Sequence, residues 1–326
     1  MDIEERAAFL ILLEETKHWG AICEQVEESG SALDVLLAMA HGKSRRQGKA
    51  SGRGPGQGQH QGYHQGYHQG QQALLPGLDY HEQIAKASEK LLAWENQGIH
   101  FAAFFESHYP YQLLTIRERP PFVTWCGTPN DTDAYGIAVI GTRQPSNHGI
   151  ATAQAIAGAL TRRNITVISG LAAGIDTAAH LATIEAGGRT VAVVGTGLLH
   201  TYPPANRVLQ SRIADSSMVL SQFLPDTPPA KSKFPMRNAV MSGYASATIV
   251  VEASWRSGAR TQARLATLHG RPVYLMESVV TTNEWAREYA NRPGVHVVRD
   301  VEDFVSHLEG QTIYGKVSEF PDKLVW

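Results

Sequence analysis

The chain has 326 residues, 43% of them hydrophobic and 18% charged, with a formal net charge of -2. That length accommodates one large domain with a small one beside it, and the composition is that of an ordinary soluble core. The near-neutral balance excludes a global polycationic field, so any anion site must be a local patch.

Two cysteines, Cys23 and Cys126, lie far apart in sequence, which excludes a disulfide framework and fits a reducing cytoplasm. The N-terminus is acidic (Asp2, Glu4, Glu5), and the apolar run from Ala7 to Leu13 is too short to span a bilayer. Neither a signal peptide nor a transmembrane helix is expected, no membrane partner is implied, and the cytoplasm is the default location.

Residues 1–40 hold nine acids and two bases. Phe9, Leu12, Leu13, Leu33, Leu36 and Leu37 recur at helical spacing, with Gly20 and Gly30 as punctuation, so two or three short helices form a small N-terminal segment. Residues 41–77 differ in character. They contain ten of the chain's 30 glycines, repeats such as Gly62-Tyr63-His64-Gln65-Gly66, and five bases (Lys43, Arg45, Arg46, Lys49, Arg53) with no acid. Such a stretch cannot bury enough apolar surface to offset its ordering entropy, and it is read as a disordered Gly/Gln/His-rich linker. Its histidines are read as a solvated tract rather than a metal site.

Residues 78–310 form the main folded domain in this reading, and 311–326 a C-terminal tail. A helix is expected over 81–97. From 134 to 300 the apolar runs Ile137–Ile140, Ile165–Ile168, Val191–Val194, Met218–Leu220, Thr248–Val251, Val273–Leu275 and Val295–Val298 alternate with Ala-rich helical stretches such as Ile150–Arg163 and Thr177–Ala186. Most of these runs are short, β-branched and non-alternating, as strands covered on both faces are. The pattern predicts an α/β fold, an open, doubly wound, mostly parallel sheet of six or seven strands.

Ligands of such sheets collect beyond the carboxyl ends of the strands. There the sequence places Gly141-Thr142-Arg143, then Ser169-Gly170 through Gly174 into a helix, then Gly195-Thr196-Gly197, and finally Glu252 through Ser257-Gly258 into another helix. Glycine permits close backbone approach, helix N-termini attract phosphate, and Arg143 adds a planar cationic donor. Gly141, Thr142, Gly174, Gly195, Ser257 and Gly258 are therefore candidate phosphate-cradling turns, although tight strand-to-helix turns alone explain single instances. Neither a Walker A motif nor a dinucleotide fingerprint is present. Asp176 and His180, four apart on a helix, read as a cap and a packed histidine before they read as a catalytic dyad. With no nucleophile–base pair and no zinc spacing, the sequence gives no catalytic, metal or cofactor assignment.

Residues 225–238 run Pro225-Asp226-Thr227-Pro228-Pro229-Ala230-Lys231-Ser232-Lys233-Phe234-Pro235-Met236-Arg237-Asn238. Basic groups that track a phosphodiester, flanking an aromatic that stacks on a base, suit single-stranded nucleic acid. A surface loop with Phe234 tucked into the core is an equal alternative.

Taken in order, Gly141-Thr142-Arg143, Ser169-Gly170-x-Ala172-x-Gly174-Ile175-Asp176-x-x-Ala179-His180, Gly187-Gly188-Arg189-Thr190-Val191-Ala192-Val193, Tyr202-Pro203-x-x-Asn206, Phe234-Pro235-x-Arg237-Asn238 and Glu252-Ala253 with Ser257-Gly258 resemble the signature of the DprA/Smf family over roughly residues 80–300. That resemblance implies an extended Rossmann-like domain that binds single-stranded DNA, acts in homologous recombination and natural transformation, forms a homodimer and loads the RecA recombinase. It implies that Arg143 holds a phosphate, that Ser169 and Gly170 donate at the pocket floor, and that Lys231, Lys233, Phe234, Arg237 and Asn238 line the rim. The chain departs from the family pattern at Ala239, Gln222, Arg260 and Met276-Glu277-Ser278, and the winged-helix domain of many members is not expected in residues 311–326. Two other readings compete: a nucleotide-binding sensor or hydrolase of related fold, and a structural partner protein that docks through its acidic helices.

Overall fold

The structure, a computed structural model, describes residues 2–16, 18–40, 80–255 and 257–310. The expected linker at 41–77 and tail at 311–326 lie outside the described residues. The chain divides into two compact units, Met1–Asn96 and Gln97–Trp326.

The first unit contains α1 (Ile3–Glu15), α2 (Trp19–Ser29), α3 (residues 32–40) and α4 (Tyr80–Glu95). Asp2 caps α1, accepting from the Glu4 N–H at 3.2 Å. Every residue from Ala7 to Leu13 is buried, so α1 is covered all round rather than along one stripe. Glu5 reaches the start of α3, where its carboxylate accepts from Ser31 Oγ at 2.7 Å and the Ala32 N–H at 2.8 Å. A negative group at a helix N-terminus is favourable there. α4 packs on α1 and buries Ile84, Ala87, Leu91 and Trp94, a stripe at helical spacing. The sequence reading grouped this helix with the sheet. An α1 that is apolar on every side needs the extra cover, and α4 supplies it.

The second unit is built on a nine-stranded sheet. Its elements in order are β1 (Ile99–Ala103), α5 (Tyr111–Leu114), β2 (Phe122–Gly127), β3 (Ile137–Gly141), α6 (Asn147–Thr161), β4 (Val167–Ser169), α7 (Ile175–Glu185), β5 (Thr190–Val194), α8 (Arg207–Ser216), β6 (Met218–Ser221), α9 (Lys233–Tyr244), β7 (Ala247–Glu252), α10 (Gly258–Leu268), β8 (Val273–Met276), α11 (Glu277–Thr282), α12 (Glu284–Tyr289), β9 (Val295–Val298) and α13 (Val301–Glu309). The strand order is β1-β2-β6-β5-β4-β3-β7-β8-β9. From β3 to β9 all pairs are parallel, while β1–β2 and β2–β6 are antiparallel. The seven apolar runs read from the sequence are the seven parallel strands, and the two antiparallel strands are additional to them. The α/β, mostly parallel, Rossmann-like architecture is as expected.

The chain steps outward from β3 through β4 and β5 to β6, then returns across the sheet by α9 to place β7 on the other side of β3. The order therefore reverses between β3 and β7, and the carboxyl ends of those two strands frame a crevice. At the opposite end of the strands, Arg189 Nε and Nη2 donate to the fully buried Asp133 at 2.6 Å each, and Thr166 Oγ1 adds a third bond at 3.0 Å. Arg189, part of the recognised signature, is thus a structural clamp and no part of the crevice.

Candidate nucleic-acid interface

A cavity of about 540 Å³ opens at the β3–β7 reversal. That volume suits a small ligand or a short stretch of a long one. Its walls come from Ile140–Gln144 at the end of β3, from Ala172 and Asp176 at the start of α7, from one face of α9, and from Ser254, Ser257, Gly258, Ala259, Thr261 and Gln262 around the start of α10.

The segment read as a loop through Asn238 becomes helical at Lys233. Pro235 is tolerated there because the first turn of a helix has no intrahelical acceptors for its N–H groups. The helix sets the geometry: Phe234, Arg237, Asn238 and Met241 lie three or four residues apart, share one face, and all line the cavity. Lys231 precedes the helix and is exposed, outside the cavity wall. Lys233 turns back from the cavity, since Nζ donates to Pro228 O at 2.6 Å and lies 5.7 Å from the Phe223 ring centre.

Phe234 is half-buried. Its ring rests against Gly195, where a Cβ would come within 2.9 Å of Cδ1. Tyr202 approaches it with ring centres 5.2 Å apart, and the Arg143 guanidinium lies over it at 5.3 Å. Arg143 is exposed, and among the described residues no hydrogen bond or carboxylate holds it. A cation over an aromatic face is attracted by the ring quadrupole, which orients the guanidinium without consuming its donors.

Arg237 behaves differently. It is 5% exposed. Its Nη1 donates to Gly170 O and, at 2.8 Å, to Val193 O, while Nε donates to Asn238 Oδ1 at 3.0 Å. It therefore ties together the carboxyl ends of β4 and β5. A Cβ on Gly170 would fall onto its guanidinium, so only glycine lets the chain pass. Beside it, burial pushes the Asp176 carboxyl above the ordinary carboxylate range, against the opposing pull of Arg237. Asp176 Oδ2 accepts from the N–H groups of Gly170 at 3.1 Å and Ala172 at 3.4 Å.

The two pocket-floor donors that the resemblance implies both make internal bonds in this structure. The Gly170 N–H is already given to Asp176, and Ser169 Oγ donates to Val139 O at 2.7 Å inside the sheet. Both donors are engaged internally, and neither Ser169 nor Gly170 lines the cavity. His180 is fully buried, with Nδ1 2.7 Å from Thr190 Oγ1. Burial, then the charge of Arg237, lowers its pKa to about 3, so the ring is a neutral packing group. The packed-histidine reading holds, but Asp176 is not a cap: α7 starts from Gly174 with no side-chain cap bond, and Asp176, on the first turn, accepts from loop N–H groups that precede the helix and lines the cavity.

The candidate turns divide in the same way. Gly174, at φ +85°, starts α7 outside the cavity wall. The N-terminus of α6 is occupied by an internal carboxylate: Glu252 accepts from Ser146 N at 3.1 Å and Ser146 Oγ at 2.7 Å. Thr142 donates its N–H to Glu252 O at 2.7 Å and, with Gly141, lines the cavity by side-chain and backbone edge. The N-terminus of α10 borders the cavity: Ser257 caps the Ala259 N–H at 3.1 Å, and Ser257, Gly258 and Ala259 form wall. Thr261 and Gln262, on the first turns of that helix, also line the wall and were missed in the sequence. Their signal was available in the helical spacing from Ser257 and Gly258.

A family model described as DNA recombination-mediator protein A matches residues 100–309. The DNA processing protein DprA of Streptococcus pneumoniae is 34% identical over 231 residues, 71% of this chain and 82% of that protein. Protein Smf of Synechocystis is 38% identical over 170 residues, 51% of this chain and 43% of that protein, so the chain spans less than half of that relative's length. Among solved structures, DNA processing protein A of S. pneumoniae superposes with a TM-score of 0.59 at 29% identity, covering 72% of this chain and 87% of that one. That of Helicobacter pylori gives 0.56 at 23% identity, covering 63% and 99%, and shows the shared fold. With seven parallel strands, a reversal-point cavity and a matched span of residues 100–309, the chain belongs to the DNA recombination-mediator protein A family.

Proposed function

We propose that the β3–β7 cavity binds single-stranded DNA and that the protein acts as a non-catalytic mediator of recombination. The observation that carries this reading is the Arg143 guanidinium, exposed and, among the described residues, held only by the face of Phe234 at 5.3 Å, in the same cavity as the N-terminus of α10. An exposed guanidinium beside the positive end of a helix suits a phosphate, and an adjoining ring suits a base. Family membership supports the same reading, and the H. pylori protein of this fold is described with a single-stranded-DNA binding mode.

The DNA-binding set in this proposal is Arg143, Phe234, Asn238, Thr142, Ser257 and Gly258, with exposed Lys231 as an outlying cation. Arg237, a buried member of the wall tied to backbone carbonyls, contributes a positive charge. The non-catalytic reading rests on the buried, neutral His180 and the internally bonded Asp176. Loading of RecA, homodimerisation, a role in DNA-mediated transformation and a cytoplasmic location complete the proposal by family likeness. No helix among the described residues is long and apolar enough to cross a membrane.

The test is fluorescence anisotropy with single-stranded and duplex oligonucleotides at two salt concentrations. Tight, sequence-tolerant binding of single strands that weakens with salt is expected. Arg143→Ala should weaken binding to every sequence alike and reduce the salt slope by about one. Unchanged affinity in that variant, or a thermal shift with a mononucleotide and none with an oligothymidylate, would overturn the reading.

A further inference from the structure

Trp255 is 58% exposed, whereas Trp94, Trp125 and Trp285 are buried. An indole left in water forgoes the large burial free energy that aromatic residues normally supply, and so calls for a reason. Its position supplies one. Ser254 precedes it, Ser257 follows two places later, and both line the cavity, so the chain brings Trp255 next to the cavity although the indole is not part of its lining. The Arg260 guanidinium, exposed on the first turn of α10, stands over the ring at 5.5 Å from its centre.

The wall formed by α9 carries the same combination: Phe234 with the Arg143 guanidinium at 5.3 Å. One aromatic–guanidinium pair, Phe234 with Arg143, therefore lines the cavity, and a second, Trp255 with Arg260, lies just outside its lining, next in sequence to the lining residues Ser254, Ala259 and Thr261. One such pair matches the needs of one nucleotide unit, a stacking surface for the base and a cation for the phosphate. A mononucleotide would use one pair and leave the other idle. A strand uses both.

From this geometry, and resting on the single-stranded-DNA reading of the cavity, we infer that Trp255 is a second base-stacking platform and that Arg260 contacts the phosphodiester beside it. The site then spans at least two nucleotides, and its affinity rises with strand length because the second station is engaged only by a polymer. Stacking between a base and an aromatic side chain is not tied to base identity, so this second platform adds affinity without adding sequence preference.

Intrinsic fluorescence and anisotropy test the inference with the full chain. Titration with oligothymidylate should quench tryptophan emission, and Trp255→Phe should abolish that quench while keeping most of the affinity. Trp255→Ala, at an exposed position, should weaken oligothymidylate binding by about 5- to 150-fold, the range found for loss of one stacked base. Its affinity for thymidine monophosphate should not change. Arg260→Ala should lower the salt slope by about one with unaltered quenching. Quenching that persists in Trp255→Phe, or wild-type affinity in Trp255→Ala while Arg143→Ala has lost binding, overturns the second platform and leaves the cavity reading standing. Wild-type affinity in Arg143→Ala as well overturns both.

Discussion

Two stretches of the same sheet edge looked alike in sequence and differ in the folded protein. The carboxyl ends of β4 and β5 carry Ser169, Gly170 and Gly195, and those of β3 and β7 carry Gly141, Thr142, Arg143, Ser257 and Gly258. Around Gly170 the edge is closed from within: Arg237 spans the carbonyls of Gly170 and Val193, and Asp176 takes the N–H groups of Gly170 and Ala172. Beside β3 and β7 the edge is open, with Arg143 and the first turn of α10 facing the cavity. Small residues at a strand end allow close approach, and whether a ligand or a side chain does the approaching depends on which charged groups the next helices deliver.

The sharpest way to break this contrast is Arg237→Ala. If the β4–β5 edge is structural, removing a buried guanidinium strands two carbonyls and leaves the Asp176 carboxyl without its opposing charge, at a cost of roughly 3–5 kcal/mol in denaturant unfolding. A stability loss below the range of ordinary surface changes would show that Arg237 belongs functionally with Arg143. Gly170→Ala addresses the same contact from the other side. Its methyl group would collide with the guanidinium and should destabilise by about 1–3 kcal/mol, with most of that loss absent when Arg237 is already alanine.

His180 extends the contrast to pH. Its folded pKa lies at about 3, against an ordinary value of 6.5, so between these limits the unfolded chain binds the proton and the folded one does not. Stability therefore falls as pH drops below about 6.5, by up to about 1.4 kcal/mol per unit from this group. Asp176, with its carboxyl pushed upward, acts in the opposite sense: it contributes stability at low pH that is lost as pH rises. Because Asp176 is present in both proteins, comparing wild type with His180→Gln across pH 4–7 isolates the histidine, and the variant should show the shallower acid slope. The smallest expected effect on folding belongs to Arg143→Ala, within about 0.5 kcal/mol of wild type. A variant that binds DNA poorly yet unfolds normally would place Arg143 wholly on the open side.

The seven parallel strands were legible because each is a short β-branched run covered on both faces. β1 and β2 were not, since His100 and the Ala102-Ala103 pair in one, and Thr124 and Gly127 in the other, interrupt the apolar run. Arg143 was legible as a cavity-lining residue by its position directly after a strand. Arg237 looked equally suited, because a guanidinium reads as a surface charge in any sequence. Only the return of the chain across the sheet brings it onto the carbonyls of Gly170 and Val193. Phe234 satisfies half of each competing reading: one part of the ring packs on Gly195 while another carries Arg143. The missed lining residues, Thr261 and Gln262, lie beyond the glycine-rich turn on which the sequence reading concentrated.

The strand reversal has one further consequence. The cavity sits on the seam between two leaves of the sheet, one running β3 to β6 and the other β7 to β9, and α9 is the crossover that carries the chain from one leaf to the other. Anything lodged there grips both leaves at once, much as a rivet does. It holds firmly only while the leaves keep their alignment, and by the same linkage its presence resists their parting.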